Sequence, residues 1–276
     1  MTALPGRVVL ITGAGAGIGR LLVCELAQRG AEPVLWELDE GRLAAALDEV
    51  RGITGGRARG YVCDVSDRDA VYQTADRVRS EVGDPDVVIN NAGVVSGARL
   101  LDIPDDQIRR TFEVNALALY WVTKAFLPAM VRCNQGHIVT LASAAGLVGV
   151  ARQTDYSASK HAAVGFDESL RAELREISPG VVTTLVCPYY IDTGMFEGVR
   201  TRIPFLLPIL REHEVVRKIA HAIERDRRLL VLPRTVRLLP ALRLLPPRAF
   251  DWVMDLLGVN ASMEHFTGHS RSAELD

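Results

Sequence analysis

Tyr156 and Lys160 are separated by three residues in Tyr156-Ser157-Ala158-Ser159-Lys160. On a helix this spacing puts both side chains on one face. A phenol near its ordinary pKa of about 10 is a poor base at neutral pH, and an ammonium beside it stabilises the phenolate. Such a pair can exchange a proton with an alcohol or carbonyl oxygen. Ser143, upstream of Tyr156, carries a hydroxyl able to hold that oxygen where charge develops. Asn115 interrupts the apolar stretch 112–129. A buried amide there needs partners, either a structural set of hydrogen bonds or a water bridge to Lys160 that would also carry protons.

A second group of residues points to a dinucleotide. Thr12-Gly13-Ala14-Gly15-Ala16-Gly17-Ile18-Gly19 follows a short apolar run. Glycine lets backbone approach a pyrophosphate, and a helix N-terminus supplies free N–H groups and positive potential. The spacing is G-x-x-x-G-x-G through Gly13, Gly17 and Gly19. The commoner G-x-G-x-x-G fails because Ile18 and Arg20 stand where its third glycine belongs. Glu37, at the end of the second apolar run, can accept from ribose hydroxyls and would repel the extra phosphate of NADP. Leu38 follows it, and Ala14 and Ala16 put no cation in the glycine loop, so NAD is the expected cofactor. Asp64 is placed to meet the adenine edge. Hydride would pass between the substrate carbon and nicotinamide.

Short apolar runs alternating with amphipathic stretches must position these groups. Strands are expected at 7–12, 33–37, 58–63, 86–90, 137–143 and 181–187. Helices are expected at 17–29, 40–50, 66–81 (with Ser66 as N-cap), 105–132 and 156–177. Repeated βα units argue for a parallel sheet covered on both faces. Beyond Asp192 the rhythm breaks down.

Together these motifs resemble the short-chain dehydrogenase/reductase family. The matching residues are Thr12–Gly19, Asp64-Val65, Asn90-Asn91-Ala92-Gly93, Asn115, Ser143, Tyr156-x-x-x-Lys160, and Pro188 with Thr193, over roughly 5–195. The resemblance implies an α/β fold: one Rossmann-like domain, 1–276, with a doubly wound parallel sheet of about seven strands and helices on both faces. It also implies a tetrad. In it Tyr156 is the acid/base, Ser143 positions the substrate oxygen, Lys160 lowers the tyrosine pKa and binds the nicotinamide ribose, and Asn115 sustains a proton relay. Asn91 would lie near the adenosine half and Thr193 near the nicotinamide carboxamide. The expected cofactor set is Gly13, Gly15, Ala16, Gly17, Ile18, Gly19, Glu37, Leu38, Asp64, Val65, Asn91, Ala92, Gly93, Tyr156, Lys160, Pro188, Ile191 and Thr193. Tyr189 stands where the family usually has glycine after Pro188, which affects the substrate entrance.

Val34-Leu35-Trp36-Glu37, Thr111-Phe112-Glu113-Val114-Asn115, Lys124–Met130, Gly136-His137-Ile138-Val139-Thr140 and Asp192-Thr193-Gly194-Met195-Phe196 resemble the retinol and hydroxysteroid dehydrogenase branch. That resemblance implies a bulky lipophilic alcohol oxidised with NAD. Many members of the branch carry an N-terminal hydrophobic anchor. Here the first strand is expected near Arg7, leaving no room for one, so a soluble, cytoplasmic relative is expected. Family members assemble as dimers or tetramers through the helices bearing Asn115 and Tyr156, and a homodimer or homotetramer is expected here. The apolar segment after Gly194, about 194–215, is expected to act as a lid. Gln153, Tyr189, Met195, Phe196 and Phe205 join Ser143 and Tyr156 as expected substrate contacts.

Composition narrows the partners. The net charge is −2 and 48% of residues are hydrophobic, so nothing points to nucleic acid. No run of about 20 apolar residues occurs. Cys24, Cys63, Cys133 and Cys187 have no metal-ligand spacing; no metal is expected, and free thiols in a reducing compartment are. Stretch 227–250, which runs into the C-terminal extension 233–276, contains six arginines, interleaved leucines and no acid. It can form a strand and a solvated subunit surface, or rest on an anionic membrane; its prolines favour the former. Two rival functions stay open: a carbonyl reductase for a bulky ketone, and a non-catalytic NAD-binding regulator.

Overall fold

The computed structural model describes residues 1–268; the last part of the C-terminal extension, 269–276, lies outside the described residues. Strands β1 (Val8–Thr12), β2 (Glu32–Glu37), β3 (Arg59–Val62), β4 (Val87–Asn90), β5 (Gly136–Leu141), β6 (Val181–Pro188) and β7 (Leu229–Leu232) form one parallel sheet in the order β3-β2-β1-β4-β5-β6-β7. Helices α1 (Gly17–Gln28), α2 (Glu40–Thr54), α3 (Arg68–Glu81), α4 (Asp105–Phe112), α5 (Ala118–Cys133), α6 (Thr154–Ile177), α7 (Glu212–Glu224) and α8 (Pro247–Leu256) surround it.

A sheet buried on both faces needs strands that are apolar throughout rather than alternating. Accordingly Val9 and Ile11 of β1 pack with α1, α2 and α7, while Leu10 packs in the opposite layer with α3, α5 and α6. The chain reverses its direction of travel across the sheet between β1 and β4. Connections leave these two strands on opposite sides, which opens a crevice at their carboxyl ends. The glycine loop follows β1 directly at that crevice.

Several boundaries differ from expectation for identifiable reasons. The Ser66 hydroxyl does not cap α3. It donates to Asp64 Oδ1 at 2.6 Å, and Asp67 caps the helix by accepting from the Asp69 and Ala70 N–H groups. The helix expected at 105–132 is continuous over Asp105–Cys133, but Glu113–Leu117 forms a wider π turn between α4 and α5. It is long and apolar enough to cross a membrane by composition, yet its Val122, Phe126 and Met130 are buried against the sheet. β5 ends at Leu141, so Ser143 lies beyond the strand and caps a short 3₁₀ turn, Ala144–Gly146. Past β6, Ile191 pairs with Leu210, closing the lid loop before α7. A long 3₁₀ segment, Arg234–Leu244, then leads into α8.

Candidate active site

At the crevice lies a cleft of about 800 Å³. Its floor at one end is the glycine loop. Gly13 and Gly17 have φ of 62° and 50°, left-handed conformations that glycine adopts without a Cβ penalty. A Cβ on Gly19 would stand 2.0 Å from the Gly13 carbonyl oxygen, so only glycine lets the first turn of α1 close on the loop. That turn has neither a side-chain cap nor an acidic residue, which leaves its N–H groups and positive potential to the cleft. The Asn91 amide donates to the Thr12 and Gly13 carbonyls at 2.8 and 3.1 Å, and Thr12 Oγ1 receives the N–H groups of Asn91 and Ala92. These bonds fix the loop to the end of β4. The cradle fits a dinucleotide pyrophosphate. Gly13, Ala16, Gly17, Ile18 and Gly19 line it, followed by Asn91, Ala92 and Gly93.

Glu37 is almost buried behind Gly15. Its Oε2 accepts the Gly15 N–H at 2.8 Å, and Oε1 accepts those of Leu38 and Asp39 at 3.0 and 3.3 Å. The carboxylate therefore braces the glycine loop as well as standing at its adenosine end. The glycine loop and the position after Glu37 carry no cation, as expected, but a neighbouring helix supplies one to the cleft. Arg42 reaches the cleft wall from α2, its Cβ and the Glu37 side chain flanking the same face of Gly15. Arg42 was missed because an exposed arginine on a helix carries no sequence signal. Asp64 and Val65 do not line the cleft. Asp64 is engaged by Ser66 and lies 3.7 Å from Arg110, while Val65 is in the core beneath α3 and α5.

The catalytic candidates share one wall. Tyr156, Lys160 and Ser143 all line the cleft, and all three are buried. Burial pushes the Tyr156 phenol above its ordinary value, and a hydrogen bond with Ser143 offsets part of that rise. Burial also lowers Lys160, to about 8. Its Nζ donates to the Leu141 carbonyl at 2.8 Å and lies 5.7 Å from the Tyr156 ring centroid.

Asn115 has a full set of protein partners. Its Oδ1 accepts the Val94 N–H at 2.8 Å, and its amide donates to the Val94 carbonyl and Ser159 Oγ at 2.9 and 3.0 Å. The amide thus clamps the loop after β4 to α6. Gly93 leaves open the space beside both groups: a Cβ there would lie 3.3 Å from Asn115 Oδ1 and 3.5 Å from Lys160 Nζ. Two further supports were missed. Gly146 lets the turn after Ser143 touch α6, since a Cβ would stand 2.5 Å from the Lys160 carbonyl oxygen. The Asp155 carboxylate accepts from Ser96 and Thr111 hydroxyls at 2.6 and 2.8 Å, tying loop and α4 to the start of α6. An acid in the first turn beside Tyr156 was the available signal.

The far end of the cleft is apolar. Phe196 packs edge-on to Tyr156, with centroids 5.9 Å apart, and to Tyr190 at 5.1 Å. Tyr189, Met195 and Phe196 line this end; Pro188, Ile191 and Thr193 line the stretch between it and the glycine loop. Thr193 Cβ lies 3.7 Å from where a Cβ of Gly17 would be, so the lid loop already overhangs the cradle. Gln153 lies deeper, in a side cavity of about 20 Å³ that also touches Ser143 and Phe196, and its Nε2 has no partner among the described residues. Phe205 is not in the cleft. It is 88% exposed, because its neighbours Leu206 and Leu207 are the residues that turn inward.

A dinucleotide cradle at a parallel-sheet switch point, with a buried Tyr-Lys pair and serine across from it, defines a nicotinamide-type oxidoreductase. A family model for short chain dehydrogenases matches residues 7–203, and the chain belongs to that family. Within it the chain sits close to the retinol dehydrogenases. It is 45% identical over 268 residues to epidermal retinol dehydrogenase 2 of Mus musculus, covering 96% of this chain and 87% of that protein. It is 41% identical to retinol dehydrogenase 10-B of Danio rerio, covering 98% and 88%. Among solved structures it is similar to a short chain dehydrogenase/reductase from Burkholderia phymatum in complex with NAD, with TM-score 0.79, 30% identity, and 88% and 94% of the two chains covered. A metagenomic short-chain oxidoreductase in complex with NADP gives TM-score 0.70, 31% identity, and coverage of 84% and 98%.

Proposed function

We propose that this chain is an NAD-dependent dehydrogenase interconverting a hydrophobic secondary or allylic alcohol, of retinoid, steroid or aryl carbinol type, with its carbonyl. The observation that carries this reading is the single cleft joining the glycine cradle, the Tyr156–Ser143–Lys160 wall and the apolar end at Met195 and Phe196. The retinol dehydrogenases among its relatives support the substrate class. A bound nicotinamide dinucleotide supplies the hydride acceptor or donor and, when oxidised, a positive ring charge.

Ser143 holds the substrate oxygen, and Tyr156 takes the hydroxyl proton as the carbonyl forms, returning it in the reverse direction. Lys160 holds the nicotinamide ribose and adds positive potential beside the phenol. Asn115 keeps the loop at Gly93 and Val94 in register with α6. Glu37 favours NAD through repulsion of a 2′-phosphate. The proposal extends to a homodimer or homotetramer, supported by the exposed Leu117 and Tyr120 on the Asn115 helix, and to a cytoplasmic setting, supported by four free cysteines.

Tyr156→Phe tests the role of the phenol. Turnover should fall roughly 10²–10⁴-fold while NAD still binds, as measured by titration. Retained turnover would remove Tyr156 from the chemistry. A second reading, a carbonyl reductase drawing on reduced cofactor for a bulky ketone, predicts faster turnover of bulky ketones with reduced cofactor than of the matching alcohols with NAD. The third, a non-catalytic NAD-binding regulator, predicts no turnover in the unaltered chain.

A further inference from the structure

Gln153 stands at the N-cap of α6, three residues before Tyr156, and is 1% exposed. Its backbone closes the turn into the helix. The Gln153 N–H donates to the Val150 carbonyl at 3.2 Å, and its carbonyl accepts the Ser157 N–H at 2.6 Å. The side chain has no such part: it makes no cap, and it lines the side cavity instead. Glutamine is not among the favoured N-cap residues, and a buried amide hydrogen left unpaired is costly. Fold stability therefore does not account for this residue.

The cavity is largely apolar, with Ala144, Val148, Leu239 and Val259 in its wall. The hydroxyls of Tyr190 and Ser143, also in that wall, are engaged. Ser262 Oγ donates to the Val259 carbonyl at 2.7 Å, so in its 2.8 Å contact with Tyr190 Oη the phenol is the donor. Ser143 Oγ accepts the Ala145 N–H at 3.1 Å and bonds with Tyr156. The Gln153 amide lies near enough to Tyr190 to offset part of the rise that burial gives that phenol, yet its Nε2 closes no hydrogen bond among the described residues. An amide nitrogen carries two hydrogens, so at least one is left to the cavity. Ser143, Tyr189 and Phe196 line both the cavity and the cleft, so the two spaces adjoin beside the group that holds the substrate oxygen. At about 20 Å³ the cavity has room for about one water-sized group. One small hydrogen-bond acceptor completes it.

We propose that this cavity is an oxygen subsite of the cleft, in which Gln153 Nε2 donates to a second substrate oxygen on the carbon next to the reacting one. The size of the cavity decides the placement. A chain carrying the oxygen further away would not fit, whereas an oxygen on the adjoining carbon enters as a single group beside the one held by Ser143. The favoured substrates are lipophilic vicinal diols, oxidised to α-hydroxy ketones, and α-hydroxy ketones or α-diketones in the reverse direction. The inference rests on the dehydrogenase reading above and narrows its substrate class toward steroid and aryl carbinols that bear such an oxygen. A substrate with hydrogen or methyl in that place leaves the amide unpaired, and a site built around a buried donor rejects an analogue that lacks the acceptor.

Binding without turnover tests the subsite. With oxidised NAD present, neither phenylpropanedione nor propiophenone can be reduced, so calorimetry on the full chain gives a Kd for each. The expected Kd is roughly 5- to 100-fold lower for the dione. Gln153→Met, which keeps the length of the side chain and removes the donor, should bring the two values together. Initial rates of NAD reduction should favour the corresponding vicinal diol over the mono-alcohol in kcat/KM, and Gln153→Met should erase that preference too. Equal Kd values on the unaltered chain, or no binding of the dione, overturn the proposal, because a water would then satisfy the amide whatever the substrate. A preference that survives Gln153→Met overturns it as well, since another group would then hold the second oxygen. If the dione binds preferentially but no alcohol is oxidised, the subsite stands and the dehydrogenase reading fails. If mono-alcohols are oxidised as fast as diols and both ketones bind equally, the dehydrogenase reading stands and the subsite fails.

Discussion

The Tyr156 phenol and the Lys160 ammonium are pushed by burial toward their neutral forms, the phenol upward and the lysine to about 8. Alcohol oxidation needs a group ready to take a proton, and carbonyl reduction needs one ready to give it. Oxidation should therefore speed up as pH rises across the alkaline range, and reduction should slow, in initial-rate profiles run in both directions. Lys160→Met should lower kcat/KM and shift the oxidation limb further up; an unmoved limb would mean that the lysine does not act on the phenol. At the other end of the cleft, Glu37→Gln should narrow the preference of binding for NAD over NADP, and Arg42→Ala should widen it, both measured as Kd ratios. Residue types and spacing made Tyr156, Lys160, Ser143, Glu37 and the glycines legible, since each belongs to a local pattern. Arg42 was not legible, since an exposed arginine on a helix belongs to no pattern, and the role of Asp155 showed only in the fold, because Ser96 and Thr111 are distant in sequence.

At the scale of elements, two backbone approaches hold the site together: the first turn of α1 against Gly13, and the turn after Ser143 against α6. Gly19→Ala should abolish dinucleotide binding, because its Cβ would meet the backbone oxygen of Gly13 and neither side can yield cheaply. Gly146→Ala should displace α6 under Lys160. A fall in both Tm and kcat is expected, in melts and initial rates, whereas a full-rate variant would show that the contact relaxes without cost. The strands and helices up to β6 were readable from apolar runs and helical periodicity. The π turn at Glu113–Leu117 was not: its surroundings are apolar on every side, and a change of hydrogen-bond period leaves no mark in composition. Beyond Asp192, prolines and short turns break the rhythm of strands and helices: the strand expected in 227–250 is β7, while α7 was passed over and the 3₁₀ segment emerged only from packing.

On the scale of the whole molecule, one buried histidine links the sheet to acid stability. His137 is fully buried between Thr2 Oγ1 at 2.9 Å and Thr184 Oγ1 at 2.8 Å, and desolvation lowers its pKa from 6.5 to about 4, with Asp226 opposing part of the shift. A depressed folded-state value means the contribution is present above pH 6.5 and lost as pH falls through about 4. It amounts to about 3 kcal/mol at most. The His137→Gln chain should therefore show a shallower loss of Tm between these limits; an identical slope would place the acid sensitivity elsewhere. The cleft's apolar end sets substrate size. Phe196→Ser should raise KM for bulky alcohols more than for small ones, while Phe205→Ser, remote from the cleft, should change neither for dissolved substrates.

The central claim is oxidation of a bulky lipophilic alcohol at the expense of NAD. Initial rates of cofactor reduction with NAD and with NADP, on a retinol, several hydroxysteroids, a benzylic secondary alcohol and propan-2-ol, test it most directly. Turnover with NAD on the bulky members, and little on propan-2-ol, is the predicted result. A preference for NADP would contradict the role given to Glu37, and activity confined to propan-2-ol would contradict the lipophilic pocket.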